Sequence, residues 1–363
     1  MLTASIGFSV LLTSCTTTQA PPAPPPGPTP PAPAASARPG QATPTGTPQA
    51  VVTGLDAPWS VVFRNGTPLV SERDSARILE LTDDGRARTV GNVEGVAAAG
   101  EAGLLGLALD DQDRLYVYST AADGNRIQRF TMTGAAGSLS LGPPETLLEK
   151  LPSAGIHDGG RIAFGPDDML YATVGDAGKP SRAQDLGSLG GKILRMTADG
   201  GIPADNPFPG SLVYSYGHRN PQGLTWADDG TLFAPEFGQN TWDELNIITP
   251  GANYGWPTVE GIADTEGLTS PVQQWKPSTA SPSGITQVDG TLFIANLRGE
   301  VLRAVPVADP ATSIDYYSGE YGRIRDVVVT PGNELWLVTN NTDGRGTPGP
   351  DDDRILRVRL GGA

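Results

Sequence analysis

Gly223-Leu224-Thr225-Trp226-Ala227-Asp228-Asp229-Gly230-Thr231-Leu232-Phe233-Ala234 places two apolar strands on either side of an acidic-glycine turn, and Glu244-Leu245-Asn246-Ile247-Ile248 follows as a third strand. The same phrase recurs on both sides of it. Upstream it reads Trp59–Phe63, Pro68–Val70 and Ile78–Leu81; then Leu105–Leu109, Leu115–Tyr118 and Ile127–Phe130; then Arg161–Phe164, Leu170–Val174 and Lys192–Met196. Downstream it reads Gly284–Gln287, Leu292–Ala295 and Val301–Arg303, then Arg325–Val329, Leu335–Val338 and Ile355–Val358. Strand-only units repeating every roughly 40 to 60 residues are the mark of propeller blades. Each unit is an antiparallel meander with apolar residues on both faces, so it must stack on neighbours, and closing the stack into a ring leaves few bare edges. A sandwich of regularly spaced hairpins is the competing architecture, but six copies with one internal order favour the ring. The expected fold is all-β: a six-bladed β-propeller of four-stranded antiparallel blades over 50–363, preceded by a disordered Pro-rich tether.

Composition bounds the partners. The 363 residues carry a net charge of −15, which argues against nucleic acid or an anionic membrane surface as a partner. Residues 1–15 contain a short apolar stretch, Ile6–Leu12, too short to span a membrane, and end in Leu12-Thr13-Ser14-Cys15. That ending resembles a bacterial lipobox, so Cys15 is expected to be lipidated and the protein to sit outside the cytoplasm, as a cell-surface lipoprotein or, without the lipid, secreted or periplasmic. Cys15 is the only cysteine, which excludes a disulfide within the chain. Residues 16–49, rich in Pro, Ala, Thr and Ser, read as a stiff polyproline-like linker.

Chemistry concentrates just before the first strands of the units. The two histidines, His157 and His218, both lie there, where a propeller's loops gather at one mouth of its channel. A neutral imidazole in that place can take a proton from a hydroxyl. Arg219, Arg323 and Arg325 hold equivalent positions, and Arg298 lies between the second and third strands of the fifth unit. In so acidic a chain, cations collected at one mouth point to a bound anion, carboxylate or phosphate. The stretch Glu236–Asn246 with Asn253-Tyr254-Gly255-Trp256-Pro257 packs carboxylates and turn carbonyls closely enough to suit calcium, although turn-forming Asp and Asn account for it equally. No dinucleotide fingerprint, Gly-x-Ser-x-Gly elbow or zinc spacing is present, so any redox chemistry must use an acceptor other than a nicotinamide.

In this order, Gly54-Leu55, Pro58-Trp59, Gly103-Leu104-Leu105-Gly106, His157 with Gly160-Arg161, Gly191-Lys192-Ile193-Leu194-Arg195, Gly217-His218-Arg219-Asn220-Pro221-Gln222-Gly223, Asp243-Glu244-Leu245-Asn246, Asn253–Pro257 and Gly322-Arg323-Ile324-Arg325-Asp326 resemble the soluble PQQ-dependent aldose sugar dehydrogenases, the glucose/sorbosone dehydrogenase family. The resemblance runs from about Gly54 to Leu360. It implies oxidation of aldose sugars at C1 to the lactone, with pyrroloquinoline quinone (PQQ) over the propeller axis and electrons leaving to an external acceptor. His157 would be the base that takes the C1 hydroxyl proton as hydride passes to the quinone. Arg219 would polarise the quinone oxygen, with Asn220 beside it. Arg298, Arg323 and Arg325 would hold the cofactor's carboxylates, and Glu101 would lie at the cofactor. The carbonyls of Gly238 and Gln239 would hold a cofactor Ca2+, and Glu244 with the Tyr254 carbonyl a second, structural one. His218 would be structural. The chain departs from common family residues at Glu101 (often Gln), Ile156 (acidic in well-studied glucose oxidisers), Ala177 (polar in some) and Gln239 (often Pro). A carboxylate at 101 repels an anionic cofactor unless it is protonated or bound to a cation. Glu101, Ile156 and Ala177 favour an alternative in which the propeller binds a sugar or protein ligand and catalyses nothing.

Overall fold

The computed structural model describes residues 1–2, 41–82 and 84–362. The chain divides into two units, Met1–Ser36 and Ala37–Ala363, and only Met1 and Leu2 of the first are described. The lipobox, Cys15 and most of the 16–49 linker therefore lie outside the described residues.

The second unit is six four-stranded antiparallel sheets. β1 is Thr43–Val52. Blade one is β2 Pro58–Arg64, β3 Thr67–Glu72, β4 Arg77–Leu81 and β5 Ala87–Asn92. Blade two is β6 Leu104–Leu109, β7 Leu115–Ala121, β8 Gly124–Thr133 and β9 Ser140–Leu151. Blade three is β10 Ile162–Phe164, β11 Leu170–Val174, β12 Lys192–Met196 and β13 Val213–Tyr216. Blade four is β14 Thr225–Trp226, β15 Leu232–Glu236, β16 Asp243–Ile248 and β17 Gln273–Trp275. Blade five is β18 Pro282–Val288, β19 Thr291–Asn296, β20 Leu302–Pro306 and β21 Ile314–Tyr316. Blade six is β22 Ile324–Val329, β23 Glu334–Thr339 and β24 Ile355–Gly361, completed by β1. The expected propeller of four-stranded blades is what forms.

Strand alternation explains the stacking. In β11, Leu170, Ala172 and Val174 pack toward blade two, whereas Tyr171 packs toward blade four. In β7, Leu115 and Val117 face blade one, while Tyr116 and Tyr118 face blade three. Every blade-to-blade junction holds such a cluster. The last, with Val61, Val70 and Leu79 against Val338 and Ile355, joins blade six to blade one and closes the ring.

The ring is latched by β1, which pairs antiparallel with β24 (Gln49 with Arg357, Ala50 with Leu356). This corrects the linker boundary: the strand begins at Thr43, inside the stretch read as linker up to residue 49. Its sequence, TPTGTPQAVV, carries prolines that cannot donate to a ladder. They are tolerated because β1 is the outermost strand of its sheet and the register breaks between Thr45 and Gln49.

The innermost strands bring a polar plug to the axis. Arg161 stacks 4.4 Å over the Trp59 ring, and its guanidinium donates to Asp326 Oδ2 (3.1 Å), Ser60 Oγ (3.2 Å) and the Gln222 carbonyl (3.0 Å). Gln222 of this plug also lines the cavity described next.

Candidate active site

The loops that precede the inner strands and those that join second to third strands meet at one mouth. They enclose a cavity of about 250 Å³. Glu101, His157, Arg219, Asn220, Arg298, Arg323, Arg325, Gly238 and Gln239 all line it. Glu244 and Tyr254 do not. They lie behind Gly238 on a second cavity of about 10 Å³, which they share with Glu236 and Glu260.

His157 sits on the wall with its backbone in the left-handed region (φ 59°). A residue with a side chain rarely adopts that conformation, and it persists only where surroundings hold it. Here Glu101 Oε2 accepts the His157 N–H at 2.9 Å, and the His157 carbonyl accepts from Ala177 N at 3.2 Å. The imidazole Nδ1 meets Asp176 Oδ1 at 2.7 Å. Asp176 is fully buried and also accepts from Trp256 Nε1 (2.9 Å) and Gly178 N (2.8 Å). Burial pushes its carboxyl up, but hydrogen bonding and charge from His157, with the Trp256 and Gly178 donors, outweigh it and hold it below the usual carboxylate range. An ionised Asp176 fixes the proton on Nδ1, which leaves Nε2 as an acceptor.

The cations are under-partnered. Arg325 is buried and bonds only neutral oxygens: Gln222 Oε1 (2.6 Å), Ser283 Oγ (3.1 Å) and Asn340 Oδ1. Burial pushes its guanidinium down to about 9. Arg323 bridges to Asp343 at 3.0 Å, yet its buried Nε has no partner. Arg219 lies 5.5 Å over the Trp256 ring, donates to the Phe237 carbonyl, and likewise leaves a buried Nε unpaired. Arg298 is exposed and makes no hydrogen bond or ion pair among the described residues. With Arg345, five guanidinium groups line the cavity against two lining carboxylates, Glu101 and Asp243, with the ionised Asp343 and Asp176 behind Arg323 and His157, so positive charge is still in excess. Such a site fits a compact poly-anion carrying carboxylates.

The carboxylate at 101 does not stand bare: Arg345 Nη1 donates to its Oε1 at 3.1 Å, and Asn220 Nδ2 lies 3.4 Å from its Oε2. At the Gly238–Trp242 turn, the backbone N–H groups of Gln239, Asn240, Thr241 and Trp242 converge on Glu260 Oε1 at 2.8–3.2 Å. The carbonyls of Gly238 and Gln239 accept no hydrogen bond among the described residues. Glu244 accepts from Gly261 N and Asn246 Nδ2. Burial and the nearby Glu236 charge push its carboxyl up to about 8. Unused carbonyls and a buried carboxylate without a cation suit a hard metal ion. Among the described residues, no group of three or more His, Cys, Asp or Glu side chains is arranged to hold a metal, so carbonyl oxygens would have to supply much of the shell.

His218 is fully buried between Ser215 Oγ and Glu236 Oε2, both at 2.8 Å, and stacks on Tyr254. Ile156 is exposed, and Ala177 is buried beside His157. Sequence reading missed Asp176, Gln222, Arg345 and Glu260. Asp176 stands in Gly175-Asp176-Ala177-Gly178, a run that reads as an ordinary turn, and Arg345 belongs to a Gly- and Pro-rich loop.

The family model for glucose/sorbosone dehydrogenase matches residues 55–356. A solved PQQ-bound aldose sugar dehydrogenase from Streptomyces coelicolor is 48% identical, with a TM-score of 0.85 over 90% of this chain and 100% of that one. Quinoprotein glucose dehydrogenase B of Acinetobacter calcoaceticus is 34% identical over 259 residues, 60% of this chain, and the match spans about half of that relative (54%). The aldose sugar dehydrogenase of Escherichia coli is 31% identical over 335 residues, 80% of this chain and 89% of the relative. With the family model spanning all six blades, the chain belongs to the glucose/sorbosone dehydrogenase family.

Proposed function

We propose that this protein is a PQQ-dependent sugar dehydrogenase that oxidises the C1 hydroxyl of an aldose to the lactone and passes electrons to an external acceptor. The observation that carries the reading is the cavity's surplus of positive charge beside an Asp-oriented imidazole. When bound, PQQ supplies the hydride-accepting quinone. The chain's own residues do the rest. His157 Nε2 takes the hydroxyl proton, and the buried Asp176 stabilises the imidazolium that results. Arg323, Arg325 and Arg298 would anchor cofactor carboxylates, with Glu101 and its Arg345 partner alongside. Arg219 and Asn220, which line the same cavity, would donate to charge developing on the acceptor. Calcium would bind the Gly238 and Gln239 carbonyls, and a second ion Glu244 and the Tyr254 carbonyl. A lipid on Cys15 would hold the enzyme at the bacterial surface.

The test is reconstitution of the purified chain with PQQ and Ca2+, followed by dye reduction across a panel of aldoses. Sugar-dependent bleaching of the dye is the expected result. Quinone binding without turnover on any sugar would instead favour a binding propeller, and no binding at micromolar quinone would end the reading.

A further inference from the structure

We propose that Arg345 is the neutralising partner that allows the cavity to keep a carboxylate beside His157 and still accept a poly-anionic quinone, and that Glu101 is the residue that positions His157. The inference rests on the quinone reading above. Glu101 divides its two oxygens between two tasks. Oε2 takes the N–H of His157 and faces Asn220, whereas Oε1 takes the guanidinium of Arg345. The first task gives the left-handed His157 backbone its hydrogen-bond partner, so the acceptor oxygen cannot simply be removed. The second task cancels the charge that the first brings in. Glu101 acts electrostatically on both Arg219 and Arg325, so an unpaired carboxylate would weaken the positive field just where an anion must bind.

The loop that carries Arg345 is built to hold it there. Asp353 is fully buried and accepts from Asn341 N at 2.5 Å, which ties the base of the loop to blade six. Asp343 grips Arg323 with Oδ2 (3.0 Å) and caps the Arg345 backbone N–H with Oδ1 (2.9 Å). The guanidinium is half exposed, and Glu101 is its only side-chain partner among the described residues. Arg345 therefore costs little to desolvate and can be replaced without opening the core.

The test is a double-mutant cycle read by quinone titration with calcium held constant, using full-length wild type, Arg345→Gln, Glu101→Gln and the double variant. Arg345→Gln is expected to weaken quinone affinity about tenfold, and adding Glu101→Gln to it is expected to restore affinity to within about twofold of wild type, because the second change removes the carboxylate that the first left uncancelled. A double variant that binds quinone no better than Arg345→Gln would mean that Arg345 touches the quinone itself, and no loss in Arg345→Gln would mean that it is idle; each overturns this inference while leaving the quinone reading intact. Absence of quinone binding by wild type would overturn both. At saturating quinone, Glu101→Ala is expected to lose kcat and Glu101→Gln to recover it, since the amide oxygen still accepts the His157 N–H. Equal kcat in those two variants would refute the positioning role, and melting curves of each chain report whether it has folded.

Discussion

At the scale of single residues, the cavity separates two jobs that different substitutions should pull apart. His157 is held by Asp176 from one side and Glu101 from the other, with its ring only slightly exposed. Replacing it with Gln removes the proton acceptor but no anchor. His157→Gln is expected to cut kcat at least about a hundredfold while quinone affinity, read by titration, changes less than threefold. Arg325→Gln should do the reverse and cost more than about tenfold in affinity, because a buried guanidinium that bonds only neutral oxygens is positioned for an incoming carboxylate. Retained turnover in the first variant, or unchanged affinity in the second, would remove the assigned role. Asp158, next in the chain, offers a pH test. Burial pushes its carboxyl up to about 6, against the Ala154 and Asn125 donors that favour the charged form. The folded state therefore holds a proton that the unfolded state has already released between about pH 4 and pH 6, so this residue's contribution to stability falls as pH rises through that window. Urea unfolding across that range should show a smaller loss of stability with rising pH in Asp158→Asn than in wild type. Parallel pH profiles would show that the group does not titrate there.

At the scale of strands and loops, closure depends on an element that its own sequence disguises. β1 is the only partner of β24 on that side, and it adds Val52 to the cluster joining blades six and one. A chain starting at Thr53 would leave the β24 backbone unpaired along the blade edge. It is expected to melt more than about 5 °C below the full chain and to aggregate on heating, by calorimetry and light scattering. An unchanged melting point would mean that the ring closes through side-chain packing alone. The second strands were legible because Leu170–Val174 or Leu292–Ala295 carry apolar residues on both faces when stacked between blades. The latch was not, since an edge strand with one ladder can keep Pro44, Gly46 and Pro48, the residues that write a linker. The outermost β9 was equally hard to read, for SLGPPETLLEKL is largely exposed and shows no clear period. The same logic divides the site. His157, Arg219, Arg323 and Arg325 declared themselves by recurring at the first strands of their units, and Arg298 by its place between the second and third strands of the fifth. Asp176 and Arg345 acquire meaning only once the ring brings them to His157 and to Glu101, the latter pair 244 positions apart.

For the whole molecule, two electrostatic scales oppose each other. The chain carries a net charge of −15, which repels a tricarboxylate from afar, while the cavity's five guanidinium groups against two carboxylates attract it at close range. Screening decides which field the ligand meets. At about 0.01 M salt the Debye length is roughly 30 Å, so an approaching quinone meets the net charge of most of the molecule. At about 0.15 M it is roughly 8 Å, so distant aspartates and glutamates fade while the cavity's arginines still act. Near about 1 M it is roughly 3 Å, and the partly exposed Arg298 and Arg345 lose most of their pull. Quinone affinity, with calcium held constant, is therefore expected to pass through a maximum at intermediate sodium chloride, with the rise on the low-salt side appearing mainly in the association rate. Stopped-flow association and equilibrium titration across that range would read both limbs. A steady fall from the lowest salt upward would show that the local surplus dominates at every distance and that the acidic surface plays no part in admitting the cofactor. Arg298→Gln should flatten the high-salt limb, since it removes one of the guanidinium groups that salt can reach.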